Sequence, residues 1–215
     1  MKKTILVLGL VSFLAFPVSA ATPFDGKLVA LDAGHGNGET GAIGYCDGVP
    51  VVEVELNLAV RTELEKFLPL GTYHDVLQSS SRQERVADAE AAGATVLISI
   101  HHNGSSNTGA DYTQSFVTQK NDKTFAGYIH PLIVGALRLP DRGIKSDGYG
   151  MTVYGSLPGV LTESYFVTDT DGACDFIAYQ GGATNTRVHK EAQAMYDGLA
   201  AYFSAGTGGG KGRNR

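Results

Sequence analysis

Thr95-Val96-Leu97-Ile98-Ser99-Ile100, followed at once by His101-His102-Asn103, is a nearly unbroken apolar run that ends in polar groups. A strand that is apolar on both sides belongs to a sheet covered on both faces, as parallel strands are in α/β domains. Upstream, Lys27-Leu28-Val29-Ala30-Leu31-Asp32 is a second such run and turns at Ala33-Gly34-His35-Gly36. Between the two, Val52, Leu56, Ala59, Val60, Leu64 and Phe67 recur at helical spacing, and Arg82 to Ala92 sets Val86, Ala89 and Ala92 on one face. Downstream, the pattern predicts a weaker strand over Tyr112 to Val117, a helix over Phe125 to Leu139, short strands over Met151 to Tyr154 and Gly159 to Glu163, and a closing helix over Val188 to Phe203. Strands alternating with helices of this length predict an α/β fold, a single domain whose twisted, mixed and mostly parallel sheet carries helices on both faces.

The composition fits that reading. At 215 residues, 43% hydrophobic and 18% charged, the chain can bury one sizeable core and is far from the makeup of a disordered protein. Its net charge of −5 gives no global attraction to nucleic acid or to anionic lipid. Its 28 glycines, against a usual share of about 7%, announce many tight turns. Met1-Lys2-Lys3, the apolar run Ile5 to Phe16 and the small-residue end Val18-Ser19-Ala20 read as a secretory signal peptide over residues 1–20, cleaved after Ala20. The expected product is secreted or periplasmic, carries no membrane anchor, is monomeric and, without Lys2 and Lys3, moves from −5 to −7. Residues 206–215 are glycine-rich and basic without apolar periodicity, and a disordered tail is expected there. Export permits a disulfide, and Cys46 and Cys174 are the only cysteines; whether they pair is left open.

Three polar groups fall where open α/β sheets place their sites: His35 past the first strand, Glu53 at the first helix start, and His101 at the end of the central strand. Two imidazoles and one carboxylate, with a fourth position left for water, form a catalytic zinc donor set. Such a site lowers the pKa of a bound water to roughly 7 and polarises a carbonyl. Their spacing matches no local metal motif, so this rests on residue type and placement. Gly36, Gly38 and Gly41 satisfy the dinucleotide fingerprint as text, but Ala42 to Gly48 continues as loop where that fingerprint demands a helix.

Five stretches carry a resemblance. Asp32-Ala33-Gly34-His35-Gly36 with Gly41-Ala42-Ile43-Gly44 resembles the opening motif of the zinc-dependent N-acetylmuramoyl-L-alanine amidases. Glu53 to Ala59, Ser99 to Asn103, Arg142 to Lys145 and Pro158 to Phe166 are similar to that family's later motifs, in order. The resemblance implies a zinc amidase catalytic domain over residues 21–205, with zinc on His35, Glu53 and His101 and Glu163 as the catalytic carboxylate. It further implies a peptidoglycan substrate, cut between the lactyl group of N-acetylmuramic acid and L-alanine. Asn37, Glu39 and Thr162 depart from the family pattern. Two neighbouring choices follow the resemblance: Glu53 over Glu55, which points about 200° away on a helix, and His101 over His102, which points to the other face of the strand.

His102 is then expected on a solvated rim, with substrate contact the alternative. His74, His130 and His189 are expected in surface or capping roles, and Arg82 and Arg85 in ion pairs, with substrate carboxylates the alternative for the arginines. The region between His101 and Glu163 leaves little room for a blocking helix, so an open site is expected. Two other functions compete: a zinc peptidase or amidohydrolase acting on small exported peptides or acyl amino acids, and a non-catalytic wall-binding module on the same scaffold.

Overall fold

A computed structural model describes residues 21–146 and 148–208. The two apolar runs form β1 (Val29–Ala33) and β5 (Val96–Asn103), which lie side by side in parallel. Alternation sends their side chains to opposite faces. Val29, Leu31, Val96, Ile98 and Ile100 join the main core, while Ala30 and Leu97 join a smaller one on the other face.

The six-stranded sheet has the order β4-β1-β5-β8-β6-β7, completed by β4 (Tyr73–Asp75), β6 (Thr113–Phe116), β7 (Asp141–Lys145) and β8 (Gly159–Phe166). β4, β1, β5 and β8 run parallel; β6 is antiparallel to β8 and parallel to β7. Helices α1 (Glu53–Glu65), α3 (Lys120–Leu137) and α5 (Arg187–Gly208) build the main core. Leu56, Val60 and Leu64 of α1, Ile129 and Ile133 of α3, and Met195, Leu199 and Phe203 of α5 are buried there. Helix α2 (Arg82–Ala91) covers the other face through Val86 and Ala89, beside Met151. A capping box starts α2: Ser81 Oγ accepts the Glu84 N–H and Glu84 Oε2 accepts the Ser81 N–H. Among the described residues, no helix is long and apolar enough to cross a membrane.

Several details differ from the pattern reading. The stretch expected as a strand over Met151 to Tyr154 is a 3-10 turn, Gly150–Val153, entered through Gly148 and Gly150 at positive φ, which extended pairing does not accommodate. The stretch after Gly41 is not loop but an antiparallel hairpin of β2 (Ile43–Cys46) and β3 (Val49–Val52), turned by Asp47 and Gly48 at positive φ. Helix α4 (Thr170–Gln180) packs against this hairpin. Helix α5 runs to Gly208, so residues 206–208 close a helix, while residues 209–215, like residues 1–20, lie outside the described residues.

Cys46 at the end of β2 and Cys174 in α4 form a disulfide with Cα atoms 4.8 Å apart, tying hairpin to helix. The sequence separation is 128, a long loop to leave open in an unfolded chain. Replacing both cysteines by serine, or adding reductant, is expected to cost about 2–4 kcal/mol, read as a lower denaturation midpoint. An unchanged midpoint would show that α4 and the hairpin hold together without the bond.

Candidate metal centre

β1 and β5 are adjacent, and the two crossovers that link them through β4 lie on opposite faces of the sheet, α1 on the main-core side and α2 on the other, so a crevice opens beyond their carboxyl ends. His35 follows β1, His101 lies near the end of β5, Glu53 opens α1, and Glu163 sits on β8 directly beside His101 in the parallel register. The structure brings the three expected ligands together: donor atoms of His35, Glu53 and His101 all lie within 4.8 Å of one another. Glu53 Oε1 is 2.9 Å from His35 Nε2 and 3.2 Å from His101 Nδ1, and the imidazoles meet edge to face at 4.8 Å. Glu55 points to solvent.

Backbone geometry presents these groups. The hairpin runs straight into α1, and its Ala42 N–H donates to Glu53 Oε2 at 2.8 Å while the His102 N–H reaches Oε1 at 3.2 Å. Burial opposes ionisation of Glu53, but hydrogen bonds from His101 and His35, the His101 charge and the Ala42 N–H outweigh it. The carboxyl is held far below the usual carboxylate range. Glu163 has the opposite environment: burial pushes its carboxyl well above the usual range, and the charge of Glu53 adds to the push. Its Oε2 is buried without a hydrogen-bond partner. Two glycines make the cradle. A Cβ on Gly34 would overlap the His101 imidazole, and one on Gly41, at φ +70°, would strike Glu53 and His35.

His35 itself has φ +65°, a left-handed conformation that needs outside support. Arg85 supplies it. Buried at 5% exposure, its guanidinium donates to Asp32 Oδ1 at 2.8 Å, to the carbonyls of Ala33 at 3.3 Å and His35 at 2.6 Å, and to that of Gln78. Its Nε donates to Ser80 O. Ser99 Oγ caps the second Asp32 oxygen at 2.6 Å. Arg85 therefore holds the expected ion pair. Arg82 is solvent-exposed and only 3.7 Å from Glu39.

Two histidines differ from expectation. His102 does point away from the cluster, as alternation requires, but that face is core rather than rim, and the residue is 1% exposed. Its Nδ1 donates to Asn57 Oδ1 at 2.7 Å, and its Nε2 lies 3.0 Å from Glu191 Oε2. Asn57 Nδ2 in turn donates to Gly34 O at 3.1 Å, and Ser164 Oγ to the other Glu191 oxygen at 2.5 Å. His130 is also buried, between Ser115 and Asp141, because α3 lays it against β6 and β7. His74 and His189 remain partly exposed beside Asp88 and Thr186. Thr162 is buried, adjacent to Glu163 in sequence but on the opposite face of β8, so its departure from the family pattern does not reach the carboxylate.

The fold is a mixed α/β domain with its polar cluster beyond the strand ends, and comparison with known proteins shows its class to be that of the cell-wall amidases. The family described as N-acetylmuramoyl-L-alanine amidase matches residues 29–175. The chain belongs to this family. It is 31% identical over 209 residues to the uncharacterized protein YqiI of Bacillus subtilis, covering 94% of this chain and 97% of that one. It is 31% identical to the N-acetylmuramoyl-L-alanine amidase LytC of the same organism, over 84% of this chain but 36% of LytC, so it spans about a third of that relative. The catalytic domain of the amidase CwlV from Bacillus (Paenibacillus) polymyxa superposes with a TM-score of 0.72 at 26% identity, covering 83% of this chain and 98% of that domain.

The Asn57–His102–Glu191–Ser164 chain joins the Gly34 loop to α5 through the core. Glu191→Ala strands His102 and Ser164 there and is expected to destabilise the fold by about 3–5 kcal/mol in urea titration. Glu191→Gln, which keeps one hydrogen bond, is expected to recover part of the loss. A neutral Glu191→Ala would show that the network carries no stability.

Proposed function

We propose that this protein is an exported, zinc-dependent peptidoglycan hydrolase that cuts the amide between the lactyl group of N-acetylmuramic acid and L-alanine of the stem peptide. His35, Glu53 and His101 are the zinc ligands, Glu163 is the catalytic carboxylate, residues 21–205 form the catalytic domain and residues 1–20 the signal peptide. The observation that carries this reading is the convergence of two imidazoles and a carboxylate beside a buried carboxyl oxygen with no partner of its own. Two nitrogens and one oxygen suit zinc, and Gly34 and Gly41 leave room for the imidazoles and the carboxylate to converge, where any Cβ would strike them.

Zinc held there supplies Lewis acidity, polarising the lactyl carbonyl and making an attacking water more acidic. Glu163 takes the proton from that water as its oxygen attacks the carbonyl carbon. The tetrahedral intermediate then collapses, the C–N bond breaks, and Glu163 returns the proton to the departing amine of L-alanine. Its raised affinity for protons suits a group that must hold one between the two steps. Glu53 stays ionised because the backbone N–H groups of Ala42 and His102 donate to its two oxygens and favour the charged form.

Digestion of purified sacculi, followed by mass analysis, tests bond and metal together. Stem peptides beginning with L-alanine are expected, abolished by a chelator and restored by zinc. Cleavage elsewhere in the peptide would point to the peptidase reading. Glu163→Ala is expected to keep bound zinc while losing roughly 10²–10⁴-fold in rate. Gly34→Ala is expected to displace the His101 ring and weaken zinc binding by about 10–100-fold with the circular dichroism spectrum unchanged. Full activity in Glu163→Ala would end the mechanism.

A further inference from the structure

Two hollows flank the cluster, and His35, His101 and Tyr149 border both. The first, about 360 Å³, lies between the His35 loop, the start of α2 and the 3-10 turn. The second, about 550 Å³, lies between the start of the hairpin and the loop that follows β5. A substrate whose scissile amide sits over the cluster must send its sugar into one and its peptide into the other.

Their walls differ in charge. The first contains Arg82 and Arg85 with Asp32 and Glu39. Arg85 and Asp32 are buried and spent on each other. The first turn of α2 is satisfied internally by the Ser81–Glu84 box, so the helix end offers little to a ligand. Arg82 remains. It is 60% exposed, with a loose 3.7 Å approach to Glu39 and a fork of donors free to turn into the cavity. Among the described residues, the second hollow has no lysine or arginine in its wall. Glu53 and Glu163 stand on its floor, and Ile43, Ser105, Ser106 and Thr168 line its sides. Hydroxyls and an apolar patch suit an uncharged sugar with its acetamido group, while the two glutamates disfavour an anion.

Resting on the amidase reading above, we propose that the first hollow receives the peptide stem, that Arg82 pairs with a stem carboxylate there, and that the second hollow receives the saccharide. Arg82 is thus a specificity residue: it binds a part of the substrate remote from the bond being cut. Losing it acts on the choice between stems rather than on proton transfer at Glu163.

The test uses the zinc-loaded enzyme and two defined disaccharide-peptides, identical except that the α-carboxylate of the second stem residue is free in one and amidated in the other. The wild type is expected to prefer the free acid by roughly tenfold in kcat/KM, mostly through KM. Arg82→Ala brings that preference near unity, Arg82→Lys keeps part of it, and Arg82→Glu inverts it. No preference in the wild type, or an equal preference in Arg82→Ala, overturns the assignment. Failure of the wild type to release either stem would instead overturn the amidase reading, so the two failures are separable.

Discussion

The guanidinium of Arg85 is the interaction on which the site depends. It leaves α2, crosses to the exit of β1, neutralises Asp32 and takes up the carbonyls that the left-handed turn at His35 leaves pointing inward. Without it, a buried carboxylate and three or more backbone oxygens would lack partners, and the loop would relax away from the cluster. A planar donor with five N–H groups in fixed directions is suited to this task, where a lysine ammonium would meet one or two of the acceptors. One helix on the minor face therefore sets the position of His35 at the carboxyl ends of the inner strands, and the strain there is balanced from outside its own loop.

Three carboxylates crowd those strand ends, and their surroundings divide them. Asp32 is matched by Arg85, and Glu53 is held ionised by imidazoles and N–H groups, leaving Glu163 with burial and a neighbouring negative charge. Such a separation of proton affinities among close carboxylates is how one site keeps a permanent anion next to a group that can gain and lose a proton. The opposite face of the same strands is arranged differently. There His102, Asn57, Glu191 and Ser164 satisfy one another in the core, so consecutive residues of β5 and β8 face the polar cluster on one side and the core on the other.

Much of this was legible in the sequence. Continuous apolar runs identified β1 and β5, and helical spacing identified α1, α2 and α5, because those segments bury a face that composition must satisfy. The grouping of His35, Glu53 and His101 was legible from residue type and from resemblance. What escaped is physically distinct. The β2–β3 hairpin leaves Ile43, Tyr45 and Val49 exposed and contains Gly44 and Pro50, so it shows no inward-facing alternation. β7 is polar and lies at the edge of the sheet, and β4 is three half-buried residues. Helix α4 carries glycine and aspartate in its first turns, which reads as loop. The burial of His102 could not be read either: alternation gave its direction correctly, but its partner Glu191 is 89 residues away and the packing of α5 on α1 and α3 brings it there.

The Cys46–Cys174 bond has a consequence beyond holding the hairpin to α4. It closes a ring that contains Glu53, His101, Glu163 and Arg85 and leaves His35 outside. In the oxidised chain, therefore, the four enclosed residues keep a raised effective concentration toward one another even when the fold has opened, because the ring excludes the most expanded conformations. The strand bearing His35 lacks that tether and must dock from outside the ring. Assembly of the centre then reduces largely to one docking event, the pairing of β1 between β4 and β5, which also delivers Asp32 to Arg85.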